Sequence, residues 1–365
     1  MRDMNKKETN VEKVNMRLTM WLWVTLCGVC MSVMLWFGAN KTIVIADMSQ
    51  EQTGLAVEAE LAGDGERGTK LVLQRTYNTP NGFCVPLPKG IKPENVVMEN
   101  RYMSQELWIY VQGVELDFYQ ENKIYGDTSC ILEGYSQEWE SGLLLMLKMT
   151  DVLEYRSTME GNVLTIVDSD PRDLFDFLVV LDPVGGGSDE GITGYGISEK
   201  ELALEVARQV QRNFDISDVR LYLTRTEDVD VSPEERIGLA EAIRPDLYIR
   251  IGAKTDVNDS FAYGIQGCYN DEYFIPGFGN AELADIVTKE VTVASSNRAV
   301  GLVPANEDSI LRDIRIPAME LSMGYLSNQQ EEALLQQEVY QGKLASGILS
   351  GIREACERLE QLEDR

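Results

Sequence analysis

The C-terminal half of the chain, from about residue 174 to residue 362, alternates between strand-like and helix-like patterns. The predicted strands are Phe177–Asp182, Val219–Thr224, Leu247–Ile251 and Pro317–Met323, and the predicted helices begin after Ser198 and Ser232 or cover Ala281–Thr292 and Glu331–Leu362. Such alternation is typical of an α/β domain in which helices flank a largely parallel sheet. In sheets of this kind a functional site lies beyond the carboxyl ends of the strands.

Two of the predicted helices begin with capping signals. Ser198 is followed three residues later by Glu201, and Ser232 by Glu235, with Pro233 at the first helical position. The serine and the glutamate of such a capping box each bind a backbone amide that the first helical turn leaves unpaired. The sequence therefore predicts the starts of these two helices.

Residues 69–170 show shorter, β-like patterns. Runs of strand length occur at Lys70–Gln74, Leu107–Val111, Leu143–Met149, Glu154–Met159 and Val163–Val167. Turn signals separate them, among them Asn78–Gly82, Pro88–Gly90 and Glu160–Asn162. The segment is predicted to form a small all-β domain, a sandwich or a barrel.

A long uncharged apolar run, Leu18–Ala39, lies near the N-terminus and is of the length needed to cross a bilayer, about 20 residues. Trp21, Trp23 and Trp36 lie near its ends, and Lys6, Lys7, Lys13 and Arg17 precede it. These features predict a cytoplasmic N-terminus (1–17), a transmembrane anchor (18–39) and a stalk (40–68), with the remaining chain on the outer side of a cell membrane. The alternative is a cleaved signal peptide, which would have a shorter apolar core and a small-residue cleavage site after it.

Composition excludes several classes of function. A formal net charge of −27 argues against binding to nucleic acid, and a hydrophobic content of 44% is sufficient for packed cores. The chain contains no histidine, which excludes histidine-ligated metals, Ser–His and Cys–His nucleophile pairs and imidazole acid–base catalysis. The cysteines outside the apolar run are scattered and show no metal-ligand spacing; they are Cys84, Cys130, Cys268 and Cys356.

Six ordered blocks carry a family resemblance that extends from about Phe177 to Cys356. They are Leu181–Gly191, Gly196–Lys200, Thr224–Asp228 with Arg236, Asp246–Ala253, Asn297–Arg298 and Pro317–Asn328. In this order and spacing they resemble the zinc-dependent N-acetylmuramoyl-L-alanine amidases of bacteria, which cut the bond between muramic acid and the stem peptide. The all-β segment before them is interpreted either as an AMIN-type module, of the kind that precedes such amidases, or as a spacer domain.

The resemblance implies that the family's metal site has been lost here. Its two zinc histidines would stand at Gly185 and Gly252, its zinc glutamate is retained as Glu199, and its catalytic glutamate would stand at Ser322. A single oxygen ligand does not hold zinc, so no cofactor is expected. The blocks on either side of Glu320 keep the family spacing, so Glu320 is not the catalytic glutamate displaced along the chain.

The predicted vestigial site consists of Asp182, Glu199, Arg250 and Glu320. Arg250 stands where the family has serine and Glu320 where it has an apolar residue, and strand alternation directs both toward the former metal position. We expect an ion pair between them, with Glu199 as the second choice for Arg250; the alternative is an Arg250 side chain directed to solvent.

The other retained polar residues have structural interpretations. Glu199 suits the N-terminus of a helix, and Arg225 and Arg236 are expected to form internal pairs. Asp182 and Asp189 are interpreted as turn residues, with a shared calcium ion as the alternative.

These inferences predict a non-catalytic, wall-associated binding, regulatory or scaffold protein whose partner is peptidoglycan or a protein of the wall or membrane. Two alternatives remain: an active amidase with an atypical site, and a structural module that binds its partner through the β domain.

Overall fold

The computed structural model describes residues 45–47, 68–76 and 82–363. The predicted anchor and most of the predicted stalk lie outside these residues. Within the described ranges, no helix combines the length and the apolar character that crossing a membrane requires.

The N-terminal part of the described chain is built from two β-sheets, one short α-helix and short 3-10 turns. Its strands are β1 Ile45–Asp47, β2 Thr69–Lys70, β3 Leu73–Arg75, β4 Phe83–Pro86, β5 Val96–Arg101, β6 Glu106–Gln112, β7 Ile124–Gly126, β8 Ile131–Trp139, β9 Gly142–Met149, β10 Glu154–Glu160 and β11 Val163–Ser169, and helix α1 is Phe118–Glu121. One sheet has the order β1-β5-β6-β9-β8-β2 and the other the order β10-β11-β4-β7-β3. An apolar core that includes Phe83, Ile109 and Leu145 fills the space between them. We refer to these residues as the β-rich segment.

The remaining residues form a six-stranded sheet flanked by helices. Its elements are β12 Phe177–Pro183, α2 Glu199–Arg212, β13 Val219–Leu223, α3 Pro233–Ile243, β14 Leu247–Lys254, β15 Ile265–Tyr269, α4 Asn280–Ser295, β16 Ala299–Pro304, α5 Ser309–Asp313, β17 Ala318–Tyr325, α6 Gln329–Leu335 and α7 Glu338–Glu363. The strand order is β13-β12-β14-β17-β15-β16. Strand β15 pairs antiparallel with β17, whereas the other neighbouring strands run parallel.

The predicted capping boxes are confirmed at both helix starts. Ser198 Oγ and its backbone amide both donate to Glu201 Oε2, and the Ser232 amide donates to Glu235 Oε2 at 2.7 Å. The single helical stretch expected at the C-terminus is instead two helices, α6 and α7, which are separated at residues 336–337. Strands β15 and β16 were not predicted, and β15 makes the sheet mixed rather than wholly parallel.

Helices cover the two faces of the sheet unequally. One face packs along its length against α2, α4 and α7. The opposite face is covered by α3 and α5 over its apolar part only. On that second face, at the carboxyl ends of β12, β14 and β17, the apolar residues give way to charged ones, and there the predicted site residues are found.

Candidate functional site

Asp182 is the centre of a buried charge cluster. It is fully buried at the end of β12. Its Oδ1 accepts hydrogen bonds from Thr224 Oγ1 at 2.6 Å and from Arg236 Nη1. Its Oδ2 accepts from Tyr248 Oη at 2.9 Å and from Arg250 Nε at 3.0 Å. Burial alone would raise the pKa of Asp182, but the charges of Arg236 and Arg250, together with the hydrogen bonds from Thr224 and Tyr248, hold that pKa below its ordinary value. Asp182 lies in β12, as the predicted strand placed it, but its four hydrogen bonds make it the centre of a cluster and not an ordinary turn residue.

Arg250 connects three carboxylates from three parts of the chain. Besides Asp182, its Nη1 lies 2.5 Å from Asp308 Oδ2 and 3.5 Å from Glu320 Oε2, so the predicted ion pair with Glu320 is confirmed. Arg250 and Glu320 are register partners on β14 and β17. Burial lowers the pKa of Arg250, but the three carboxylates outweigh burial and raise it overall. Asp308, which also caps α5, gave no sequence signal for this role.

Glu199 binds backbone amides rather than the arginine. Its Oε1 accepts from the Ala253 amide at 2.7 Å and its Oε2 from the Ile192 amide at 2.9 Å. Burial raises the pKa of Glu199, and these two amides offset part of that increase. A Cβ atom added at Gly252 would lie 2.5 Å from Glu199 Oε1, so the carboxylate occupies the space next to this glycine.

The glycine turn after β12 is held by two buried arginines. Gly185, Gly186 and Gly187 all have positive φ, of 66°, 126° and 53°. Arg236 Nη2 donates to Gly185 O at 2.7 Å, and Arg225 Nη2 donates to Val184 O at 2.7 Å. Burial lowers the pKa of Arg225 to about 10, with a smaller contribution from the charge of Arg236. Arg236 thus forms the expected internal ion pair, with Asp182, whereas the hydrogen bonds of Arg225 go to backbone carbonyls.

Ser322 lies directly beside Gly252 in the sheet and is fully buried. Its neighbour on the other side is Gln266, whose Oε1 accepts a hydrogen bond from Lys254. Lys254 was not singled out from the sequence. An ammonium group therefore lies near the position at which the resemblance places a catalytic carboxylate.

The residues of this region do not fit a zinc ion. Zinc needs three deprotonated protein ligands around an open fourth position. Asp182 is bound by two arginines, Asp308 and Glu320 share Arg250, and the oxygens of Glu199 are bound to amides. Across the part of the chain that the structure describes, no three histidine, cysteine or acidic side chains are grouped for a metal ion. The alternative of a calcium ion shared by Asp182 and Asp189 does not fit either, because both oxygens of Asp182 are already bound.

Comparison with known proteins identifies the family. Residues 179–354 match the sequence profile of the N-acetylmuramoyl-L-alanine amidases. The probable cell wall amidase LytH of Staphylococcus aureus is 28% identical over 235 residues, which is 62% of this chain and 68% of LytH. The α/β domain of this chain matches the N-acetylmuramoyl-L-alanine amidase family over residues 179–354, as the six blocks predicted.

Two solved amidase structures each match half of the chain. The catalytic domain of CwlV from Bacillus (Paenibacillus) polymyxa var. colistinus is 27% identical, with a TM-score of 0.46, and the match covers 50% of this chain and 98% of that one. The amidase of Clostridium difficile 630 is 28% identical, with a TM-score of 0.47, and the match covers 50% of this chain and 97% of that one.

Proposed function

We propose that this protein is a membrane-anchored, extracytoplasmic member of the amidase family that no longer catalyses hydrolysis. In this proposal it acts as a wall-associated binding, regulatory or scaffold module. The observation that carries the proposal is the position of Glu199. The retained zinc glutamate of the family sits against Gly252 and is bound to the Ala253 and Ile192 amides.

The amidase reaction needs a polarised water and a carboxylate that moves its proton. The chain has no histidine to hold the metal, and a buried serine stands at the position of the proton-transfer group. Glu320 is nearby, but its carboxylate is paired with Arg250. The geometry argues against a catalytic role: the carboxylate of Glu320 faces the guanidinium of Arg250 at 3.5 Å, so its charge is already paired.

The charge of the lost metal has a counterpart in the chain itself. The guanidinium of Arg250 joins the strand of Asp182, the strand of Glu320 and the start of α5 at Asp308. Because a cation already holds these strand ends together, the fold keeps its shape without a metal ion. In this proposal the surface above these strand ends binds a wall component or a protein partner.

The proposal is tested on the full-length chain, purified in detergent without chelator. Metal analysis should find no stoichiometric zinc, incubation with purified peptidoglycan should release no stem peptides, and the chain should be recovered with sedimented wall or with a membrane-protein partner. A zinc-containing amidase of the same family, treated identically, shows that the substrate is cleavable. Zinc near one ion per chain together with turnover would establish an active enzyme with an atypical site instead.

A further inference from the structure

The β-rich segment contacts the amidase-like domain at the edge strand β13. Tyr102, in the turn after β5, is 2% exposed; its hydroxyl donates to Leu223 O at 2.8 Å and accepts from the Leu223 amide at 3.0 Å. The next residue, Thr224, donates its amide to Leu181 O on β12, so the backbone groups of Leu223 point the other way, off the sheet edge. The hydroxyl of Tyr102 therefore pairs both backbone groups of the last residue of this strand.

A second contact fixes the same strand closer to its start. Glu154 Oε1, on β10, accepts from Arg220 Nε at 2.7 Å and from Tyr222 Oη at 2.8 Å. The Tyr222 ring packs edge-on against the ring of Tyr102, with centroids 5.0 Å apart, and the Arg220 guanidinium lies 4.8 Å from the Tyr222 centroid. Arg220 and Glu154 are both largely shielded from water, so this charged contact is not a loose surface pair.

The strand held in this way leads directly into the buried charge cluster. Thr224 is fully buried, donates its hydroxyl to Asp182 Oδ1 at 2.6 Å and accepts from Arg236 Nη1 at 3.1 Å. Thr224 directly follows Leu223, so the hydroxyl that binds Asp182 lies one residue away from the backbone groups that Tyr102 binds. A shift at the end of β13 would move Thr224 relative to Asp182, which in turn binds Arg250.

We propose that Tyr102 is a positioning residue for the amidase-like site: by fixing Leu223 it sets Thr224 against Asp182 and so orders the charge cluster that contains Arg250. The β-rich segment is then a structural part of the site rather than a separate module on a flexible connection. This inference rests on contacts between the two parts of the chain and holds whether or not the site is catalytic.

Tyr102→Phe in the full-length chain tests the proposal, because it keeps the ring and removes only the hydroxyl. Tyr119→Phe is the matched control: Tyr119 is also 2% exposed, and its hydroxyl donates to a backbone carbonyl, Pro86 O at 3.0 Å, within the β-rich segment. Amide hydrogen exchange across residues 219–226 should become at least about fivefold faster in Tyr102→Phe and change less than about twofold in Tyr119→Phe.

A double-mutant cycle separates positioning from general loss of stability. Thr224→Val removes the hydrogen bond to Asp182 with little change of shape. The effects of Tyr102→Phe and Thr224→Val on the unfolding equilibrium constant should deviate from additivity by about fivefold or more. The effects of Tyr119→Phe and Thr224→Val on the same constant should add within about twofold. Additive behaviour of the first pair, or unchanged exchange of residues 219–226 in Tyr102→Phe, would overturn the proposal.

Discussion

Arg250 and Asp308 form the shortest contact that Arg250 makes, 2.5 Å between Nη1 and Oδ2. The two residues are far apart in the chain, and Asp308 also caps helix α5 by accepting from the Ile310 and Leu311 amides, each at 2.9 Å. One carboxylate thus joins the start of a helix to the arginine in the middle strands of the sheet. This connection places α5 over the face that carries the charge cluster.

Replacing Arg250 should cost much of the stability of the domain. Arg250→Met leaves Asp182, Asp308 and Glu320 without their shared cation, and removing one partner of a buried ion pair costs about 3–5 kcal/mol. Chemical denaturation measures the loss. Arg353→Met, which breaks an exposed pair with Asp215, is the control and should stay within about 1 kcal/mol of wild type. A similar small loss for Arg250→Met would mean that the cluster does not hold the strands together.

Restoring the family's ligand positions should produce a zinc-responsive but destabilised protein. Gly185 has φ of 66°, which costs a residue with a side chain about 1–2 kcal/mol, and a Cβ at Gly252 would crowd Glu199 Oε1. We expect the variant Gly185→His, Gly252→His, Ser322→Glu to melt below wild type without zinc and to regain melting temperature with zinc, before any activity returns. The control carries alanine at the same three positions. Equal melting curves with and without zinc would contradict the expectation.

Glu320 should make stability depend on pH in the direction set by its burial. Burial, partly offset by Arg250, raises the pKa of Glu320 above the ordinary value of 4.5. A raised carboxyl pKa disfavours the folded state above that pKa, so wild type should gain stability relative to Glu320→Gln as pH falls from neutral toward 4.5. Denaturation at several pH values measures this difference.

Glu201 provides an internal control of opposite sign. Hydrogen bonds from the amide and the hydroxyl of Ser198 lower the pKa of Glu201. Wild type should therefore lose stability relative to Glu201→Gln as pH falls below 4.5. If the stability difference from wild type changes with pH in the same direction for both variants, the opposite electrostatic environments of the two carboxylates do not cause the pH dependence.

The predicted topology is tested on intact cells. The basic residues before the apolar run predict that residues 1–17 are protected from protease added outside, while the chain beyond Lys41 is accessible. An epitope tag at each end distinguishes the two sides, and permeabilised cells serve as the control. A mature N-terminus mapped near residue 40 would replace the predicted anchor by a cleaved signal peptide.

Local signals in the sequence predicted the local features of the fold. The capping boxes at Ser198 and Ser232 depend on contacts three residues apart, so they are visible without any tertiary information. Strand β16 was missed because it lies at the sheet edge, has no buried residue and is interrupted by Gly301, which leaves no alternating pattern. Strand β15 was missed because its five residues include Gln266 and Gly267 and form neither a continuous apolar run nor an alternating pattern.

The sequence by itself indicated the family, because the order and spacing of the motifs can be read along the chain, and it showed directly that histidine is absent. It also determined the side of the sheet on which Arg250 and Glu320 lie, because strand alternation is a property of neighbouring residues. Only the tertiary structure decided that Glu199 binds amides instead of Arg250, that Asp308 joins the cluster and that Tyr102 binds Leu223. The physical reason is burial. Where water is largely excluded, each charge and each backbone group must find a partner, and packing of distant segments decides which partner is within reach.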